Sequence, residues 1–333
     1  MKNIGTLGAL ALLTACSGIG SHVAPAIPGG QAAAQAAARA PGKYNGTVFV
    51  SDLDSNTVWS CPVNFKDIRL GYLAATGQLQ GVSDPSQLAV DAKGTLYVAN
   101  AQYDATGAGT ITEYSRGATS PTHTLKTGLN TTTGVAVDSR GTVYASNKYF
   151  GSIVAFPEGK SVPSETITSN LVGPDSLAVD AHDNLYIADS SANDVLELKL
   201  GSHAPRSLGL QKLARPTGIA LDSHGNIFVS NDLGAKSTVA MYPPGQTSPK
   251  ETIVVPGPPY SSSEGSIGEP AMLSVTKPGD IVIVSAPLSL VSIGGEEWFG
   301  YAPAVVGYAP GKTQPLWSQY QTTGYDTIFQ PEK

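Results

Sequence analysis

The chain has 333 residues, 41% hydrophobic and 14% charged, with a net charge of -6, 37 Gly and 24 Pro. That balance suits a globular protein with a large core and a turn-rich, weakly charged surface, and it argues against long helices. No Lys/Arg cluster is present, which disfavours nucleic-acid binding and a purely electrostatic hold on anionic lipid.

Residues 1–15 read as a secretory signal: Lys2, an apolar run from Ile4 to Leu13, then small residues up to Cys16. The run is too short to span a bilayer, and its layout is that of an export leader. Leu13-Thr14-Ala15-Cys16 resembles a bacterial lipobox, which implies cleavage before Cys16 and lipidation of its thiol. Two or more acyl chains anchor firmly, at about 0.8 kcal/mol per buried methylene. An ordinary leader with an incidental cysteine is the alternative. Residues 16–43 are Ala/Gly/Pro/Gln-rich and read as a tether. Ser17, where an inner-membrane retention signal would have Asp, points to the outer membrane of a two-membrane organism. The expected location is the bacterial cell envelope, outside the cytoplasm. Only Cys61 then remains, so no internal disulfide is expected.

From residue 44 onward one pattern recurs. It is clearest in Pro174 to Leu198, PDSLAVDAHDNLYIADSSANDVLEL. Sister copies are PSQLAVDAKGTLYVAN from Pro85, TTGVAVDSRGTVYASN from Thr132 and PTGIALDSHGNIFVSN from Pro216; a divergent copy, PAMLSVTKPGDIVIVS, starts at Pro270. Each copy predicts a short apolar strand, a turn opened by Asp91, Asp138, Asp180 or Asp222, and a second strand with Tyr97, Tyr144, Tyr186 or Phe228. A third strand follows a polar loop, and a fourth is predicted from SPTHTL, PSETIT and SPKETIVV. Four antiparallel strands at roughly 40–50 residues per unit describe a propeller blade. The small first strand suits the crowded axis.

The first copy, around Val48-Phe49-Val50-Ser51-Asp52, lacks an inner strand. Thr323 to Phe329 supplies one, its Thr-Gly matching Thr217-Gly218. The expectation is therefore an all-β, six-bladed propeller over residues 44–333, its ring closed by a C-terminal inner strand on the N-terminal blade. The recurring D-x-x-G-N-x-Y-V-A-[DN] pattern resembles the NHL-repeat propellers, a family that contains both enzymes and binding modules.

Residues just before each inner apolar run should ring the central mouth: Ser86, Thr133, Asp175, Thr217, Ala271 and Thr323. A more distant resemblance is to the gluconolactonase and senescence-marker propellers, in which Glu, Asn and Asp at such positions hold a divalent metal. Pro174-Asp175 is similar to that family's aspartate, but the other ligands are replaced by hydroxyls and Ala. A hard cation needs more charged oxygens than this. His182 and His224 fall in turns on the opposite face and read as exposed. The turn aspartates read as framework, as do Asn100, Asn147, Asp189 and Asn231 at the second-strand ends.

Two insertions, 256–269 and 286–304, should emerge on the mouth face. They would bring Tyr260, Glu264, Glu296, Glu297, Trp298, Phe299 and Tyr301 towards the mouth, either as binding anchors or as a self-packed lid. The expected function is a membrane-anchored, non-catalytic binding or scaffold module, monomeric and without a cofactor, whose top face takes a protein, glycan or small ligand. The membrane is engaged through the lipid alone. The alternative is a metal-dependent, lactonase-like hydrolase at the mouth, with Asp175 as ligand and Glu269, Glu296 or Glu297 recruited; only that alternative requires a divalent metal.

Overall fold

Each repeat is organised by its turn aspartate. Asp91 Oδ1 accepts the N–H groups of Lys93 and Thr95, and Asp138 those of Arg140 and Thr142. Asp180 does the same for His182 and Asn184, and Asp222 for His224 and Asn226. One carboxylate satisfying two backbone donors fixes the reversal between the first two strands. Three residues after each aspartate φ is positive: 85° at Gly94, 81° at Gly141, 64° at Asp183 and 78° at Gly225. Glycine adopts that region freely, whereas aspartate does so at a cost.

The computed structural model describes residues 45–52, 56–64, 77–102, 107–232 and 238–254. It also describes the strand backbones 273–275, 282–286, 289–293, 296–300, 304–308, 315–320 and 324–331. Among them are six four-stranded antiparallel sheets and one two-stranded hairpin, the six-bladed propeller expected from the repeats. Blade two comprises Pro85–Val90, Leu96–Asn100, Thr110–Tyr114 and His123–Leu125. Blade three comprises Thr132–Val137, Val143–Asn147, Ser152–Phe156 and Glu165–Ile167. In blade four the strands are Pro174–Val179, Leu185–Asp189, Asp194–Leu198 and the two-residue Arg206–Ser207. Blade five is built from Pro216–Leu221, Ile227–Asn231, Thr238–Tyr242 and Glu251–Val254. The divergent copy makes blade six, from Leu273–Val275, Val282–Ala286, Ala304–Tyr308 and Pro315–Tyr320.

Blade one joins the two ends of the ring. Gly324–Pro331 pairs antiparallel with Asn45–Asp52, Val48 opposite Phe329; Thr57–Asn64 and Gly77–Gln78 complete the sheet. Each inner strand touches the next around a closed cycle, from Gly324–Pro331 through Leu273–Val275 and back. Closure removes the free sheet edge that an open array would present.

The core lies between blades. Tyr97, Ile111 and Leu125 of blade two pack with Val135, Val143 and Phe156 of blade three. Tyr144 and Ile153 of blade three pack with Leu177, Leu185 and Leu196 of blade four. Tyr186 lies against the cluster of Ala188, Ile219, Val229 and Tyr242. The shared tyrosine register is therefore inter-blade packing, and Tyr97 and Tyr144 also reach Asp91 and Asp138 through their hydroxyls.

The 286–304 insertion leaves blade six between its second and third strands and contains a hairpin, Ser289–Ile293 with Glu296–Gly300. The leader, Cys16, the tether and the 256–269 insertion lie outside the described residues. Among the described residues no helix is long and apolar enough to cross a membrane.

Candidate functional site at the mouth of the ring

Strand register defines the mouth face. Inner-strand starts sit opposite second-strand ends: Pro85 with Asn100, Thr132 with Asn147, Pro174 with Asp189 and Pro216 with Asn231. The four polar ends are buried and clamp the links between blades. Asn100 accepts Ser83 N–H, Asn147 accepts Asn130 N–H and Asn231 accepts Ala214 N–H. Asp189 accepts the N–H groups of Val172, Gly173 and Ala192. They are framework, as their repetition suggested.

Asp175 is buried, and its carboxylate is engaged: Lys148 Nζ lies 2.5 Å from Oδ2. Lys148 opens a short 3-10 turn, Lys148–Phe150, between the second and third strands of blade three. Thr133 is also buried, and its hydroxyl donates to Asp175 O at 3.0 Å. Ser86 is buried. Thr217 is half-buried, with Oγ1 3.4 Å from Ser230 Oγ. The mouth positions of blades two to five thus lie on one face, and two of them, Asp175 and Thr133, are in direct contact.

Beneath them is Gln87, which sequence reasoning did not single out. An inner strand has no strand partner on its axial side, so backbone groups there need another acceptor or donor. Gln87 Oε1 accepts from Val135 N–H and Leu177 N–H, both at 3.0 Å, and its Nε2 donates to Leu177 O at 2.8 Å. One carboxamide of blade two therefore completes the axial edges of blades three and four. Ser176 Oγ accepts Ile219 N–H in the same way for blade five. A signal existed: at this register the three other well-matched copies carry Gly134, Ser176 and Gly218, and the divergent copy Met272. A β-carbon on Gly134 would lie 2.6 Å from Asp175 O, so the space is tight.

The second unanticipated feature is apolar. Tyr149 and Phe150 are 69% and 65% exposed, and Val172, on the link to blade four, is 60% exposed. A β-carbon on Gly151 would meet the carbonyls of Leu171 and Val172 at 3.2 Å, so turn and link are packed together. The aromatics therefore stand beside the Lys148–Asp175 pair. The signal was again a departure from the repeat, Lys148-Tyr149-Phe150 where blade four has Ser190-Ser191-Ala192.

Of the other predicted positions, Tyr260, Glu264, Glu269, Ala271, Tyr301 and Thr323 lie outside the described residues. Glu296, Glu297, Trp298 and Phe299 lie in the hairpin strand, in register with Ile293, Ser292, Val291 and Leu290. Among the described residues no group of three His, Cys, Asp or Glu is placed to hold a metal. His182 and His224 are exposed turn residues. A cavity of about 220 Å³ lies on the opposite face, between blades three and four. Its charges are cross-paired: Arg140 with Asp138 and Asp183, and His203 with Glu165. It is smaller than a typical ligand pocket.

Comparison with known proteins supports the fold. No family model matches the sequence, and no curated protein matches it. Among solved structures, a Lactobacillus plantarum protein shares 12% identity with a TM-score of 0.57, over 86% of this chain and 99% of the other. A chain of a nidogen/laminin complex shares 15% identity at TM-score 0.56, over 82% and 96%. A proposed 6-phosphogluconolactonase from Bacteroides uniformis shares 12% identity at TM-score 0.55, over 86% and 99%. The class is that of the β-propellers, as the NHL-like pattern implied. At these identities the likeness speaks for fold alone.

Proposed function

We propose that this propeller is a lipid-anchored envelope module that binds a protein, glycan or small ligand through its mouth face. The observation that carries the reading is the exposed Tyr149–Phe150 pair beside Val172 and the Lys148–Asp175 ion pair. Exposed aromatics held on a short turn of a rigid scaffold expose apolar surface that binding would cover. Lys148 and Asp175 fix that turn to the neighbouring blade, so the patch is preorganised and loses little entropy on binding.

The test is a photoreactive benzoylphenylalanine placed at Phe150 of the full chain in its native envelope. Leu200, 50% exposed on the loop between the third and fourth strands of blade four, is the control position. A discrete adduct from position 150, absent from 200 and lost on Tyr149→Ser, is the expected result. Equal labelling from both positions would refute the assignment. Anchoring is checked separately, by radiolabelled palmitate incorporation that disappears with Cys16→Ser.

A lactonase-like reading starts less well. Asp175 is committed to Lys148, and an ammonium group next to a prospective ligand repels a divalent cation. Stoichiometric metal in the purified protein, with lactone hydrolysis lost on chelation, would restore it.

A further inference from the structure

We propose that Ser161, His123 and Glu113 form an ester-hydrolysing site on the outer seam between blades two and three. Glu113 is the penultimate residue of the third strand of blade two, and His123 opens the fourth directly opposite it. Ser161 lies in the loop of blade three that crosses the seam. His123 Nδ1 is 3.1 Å from Glu113 Oε1, and His123 Nε2 is 2.8 Å from Ser161 Oγ.

The chemistry of the partners fixes the tautomer. A carboxylate can only accept, so the neutral ring carries its proton on Nδ1 and leaves the Nε2 lone pair facing Ser161. Ser161 O–H therefore donates to a base that faces a sheltered carboxylate, 15% exposed, while the imidazole is 32% exposed. A hydroxyl hydrogen-bonded to an imidazole whose far nitrogen lies in ion-pair contact with a carboxylate is the kind of constellation acyl transfer uses, whatever the order in the chain.

The arrangement is not a product of the repeat. At the Glu113 register blades three, four and five carry Ala155, Glu197 and Met241, and opposite them Glu165, Arg206 and Glu251. The next seam has a crossing contact at the matching loop position, His203 with Glu165, but it lacks both the hydroxyl and the second ring partner.

The reaction balances without a further reagent. Ser161 Oγ attacks an ester carbonyl as its proton passes to His123 Nε2. The C–O bond to the alcohol breaks, and the leaving oxygen takes that proton. Water, deprotonated by Nε2, then attacks the acyl-serine; the acid leaves and Ser161 regains its proton. Because Ser161 and Val162 are exposed, the substrate class is an ester borne on a large or extended molecule, which needs no enclosing pocket.

The test treats the full-length protein with a fluorophosphonate, maps the adduct by mass spectrometry and follows p-nitrophenyl acetate hydrolysis in parallel. A single adduct at Ser161 is expected, with hydrolysis falling about 10²-fold or more in Ser161→Ala and in His123→Gln. Glu113→Gln should lower both labelling and hydrolysis, whereas His203→Gln should change neither. Circular dichroism and melting of each variant separate misfolding from lost chemistry. No Ser161 adduct on folded wild-type protein, or hydrolysis that survives Ser161→Ala, overturns the proposal and leaves the trio as an inter-blade stitch.

Discussion

Gln87 and Leu177 are 90 residues apart in sequence, yet the Gln87 carboxamide pairs with both backbone groups of Leu177. The side chain behaves as a stray peptide unit, supplying the axial edge of blade four with the partner that no neighbouring strand can offer. Replacing it with Leu keeps the bulk but orphans Val135 N–H, Leu177 N–H and Leu177 O. Each buried group left unsatisfied costs about 1–3 kcal/mol, and partial relaxation should bring the total to about 2–4 kcal/mol. A denaturant midpoint well below wild type, with Gln87→Glu intermediate or worse, is expected.

The Lys148–Asp175 pair gives a second prediction. Lys148→Met leaves a buried carboxylate without its cation. Lys148 is partly exposed, so the loss should fall below the 3–5 kcal/mol of a fully buried pair, at about 1–3 kcal/mol. Adding Asp175→Asn to the same chain should recover part of it. Chemical denaturation of the four members of this cycle reads the coupling directly.

Gly134 should not tolerate alanine. Its φ is unremarkable, but a β-carbon would lie 2.6 Å from Asp175 O and 2.7 Å from Ser146 Oγ. Overpacking of this kind costs about 1–3 kcal/mol. Gly117, where a β-carbon meets nothing within 4 Å but φ is 79°, should lose less, about 1 kcal/mol from backbone strain alone. Thermal melts of the two alanine variants make the comparison.

Asp183 predicts an acid dependence. Its carboxylate accepts both the N–H and the hydroxyl of Ser139 across the seam, and those bonds, with Arg140 nearby, hold its pKa below the ordinary aspartate value. A depressed folded-state pKa contributes stability above the unfolded value, near pH 4, and that contribution is lost as pH falls through the folded value. Asp183→Ala should therefore be less stable than wild type at pH 7, with the gap narrowing below about pH 3. Asp183→Gly should lie between them, since it loses the seam bonds but relieves the positive φ. Urea titrations at several pH values test the order.

The sequence displayed what repeats and hid what does not. Blade boundaries were readable because Asp91, Asp138, Asp180 and Asp222 perform one local task that depends only on residues within four positions. The closing strand was readable from Thr323-Gly324 because an inner strand has the same crowded surroundings in every blade. Gln87 was missed because its partners lie one and two blades away, and no local pattern encodes a reach between blades. Tyr149 and Phe150 stand in the loop between the second and third strands, where the blade needs no particular residue, so the consensus does not mark them. Attention to variation at fixed register, rather than to the consensus, would have found both. The Ser161–His123–Glu113 contact joins two blades through a loop, and spacing alone could not have revealed it.

The sheet shared by Asn45–Asp52 and Gly324–Pro331 sets an order of events during synthesis. Asn45–Asp52 leaves the ribosome among the first strands of the ring, but the strand that covers its edge is translated after every other strand of the ring. Until then the nascent chain carries an unpaired β-edge that other nascent chains could adopt as a template. A premature stop anywhere in blade six would make that exposure permanent, so truncated chains should be cleared or aggregate rather than persist as five-bladed rings.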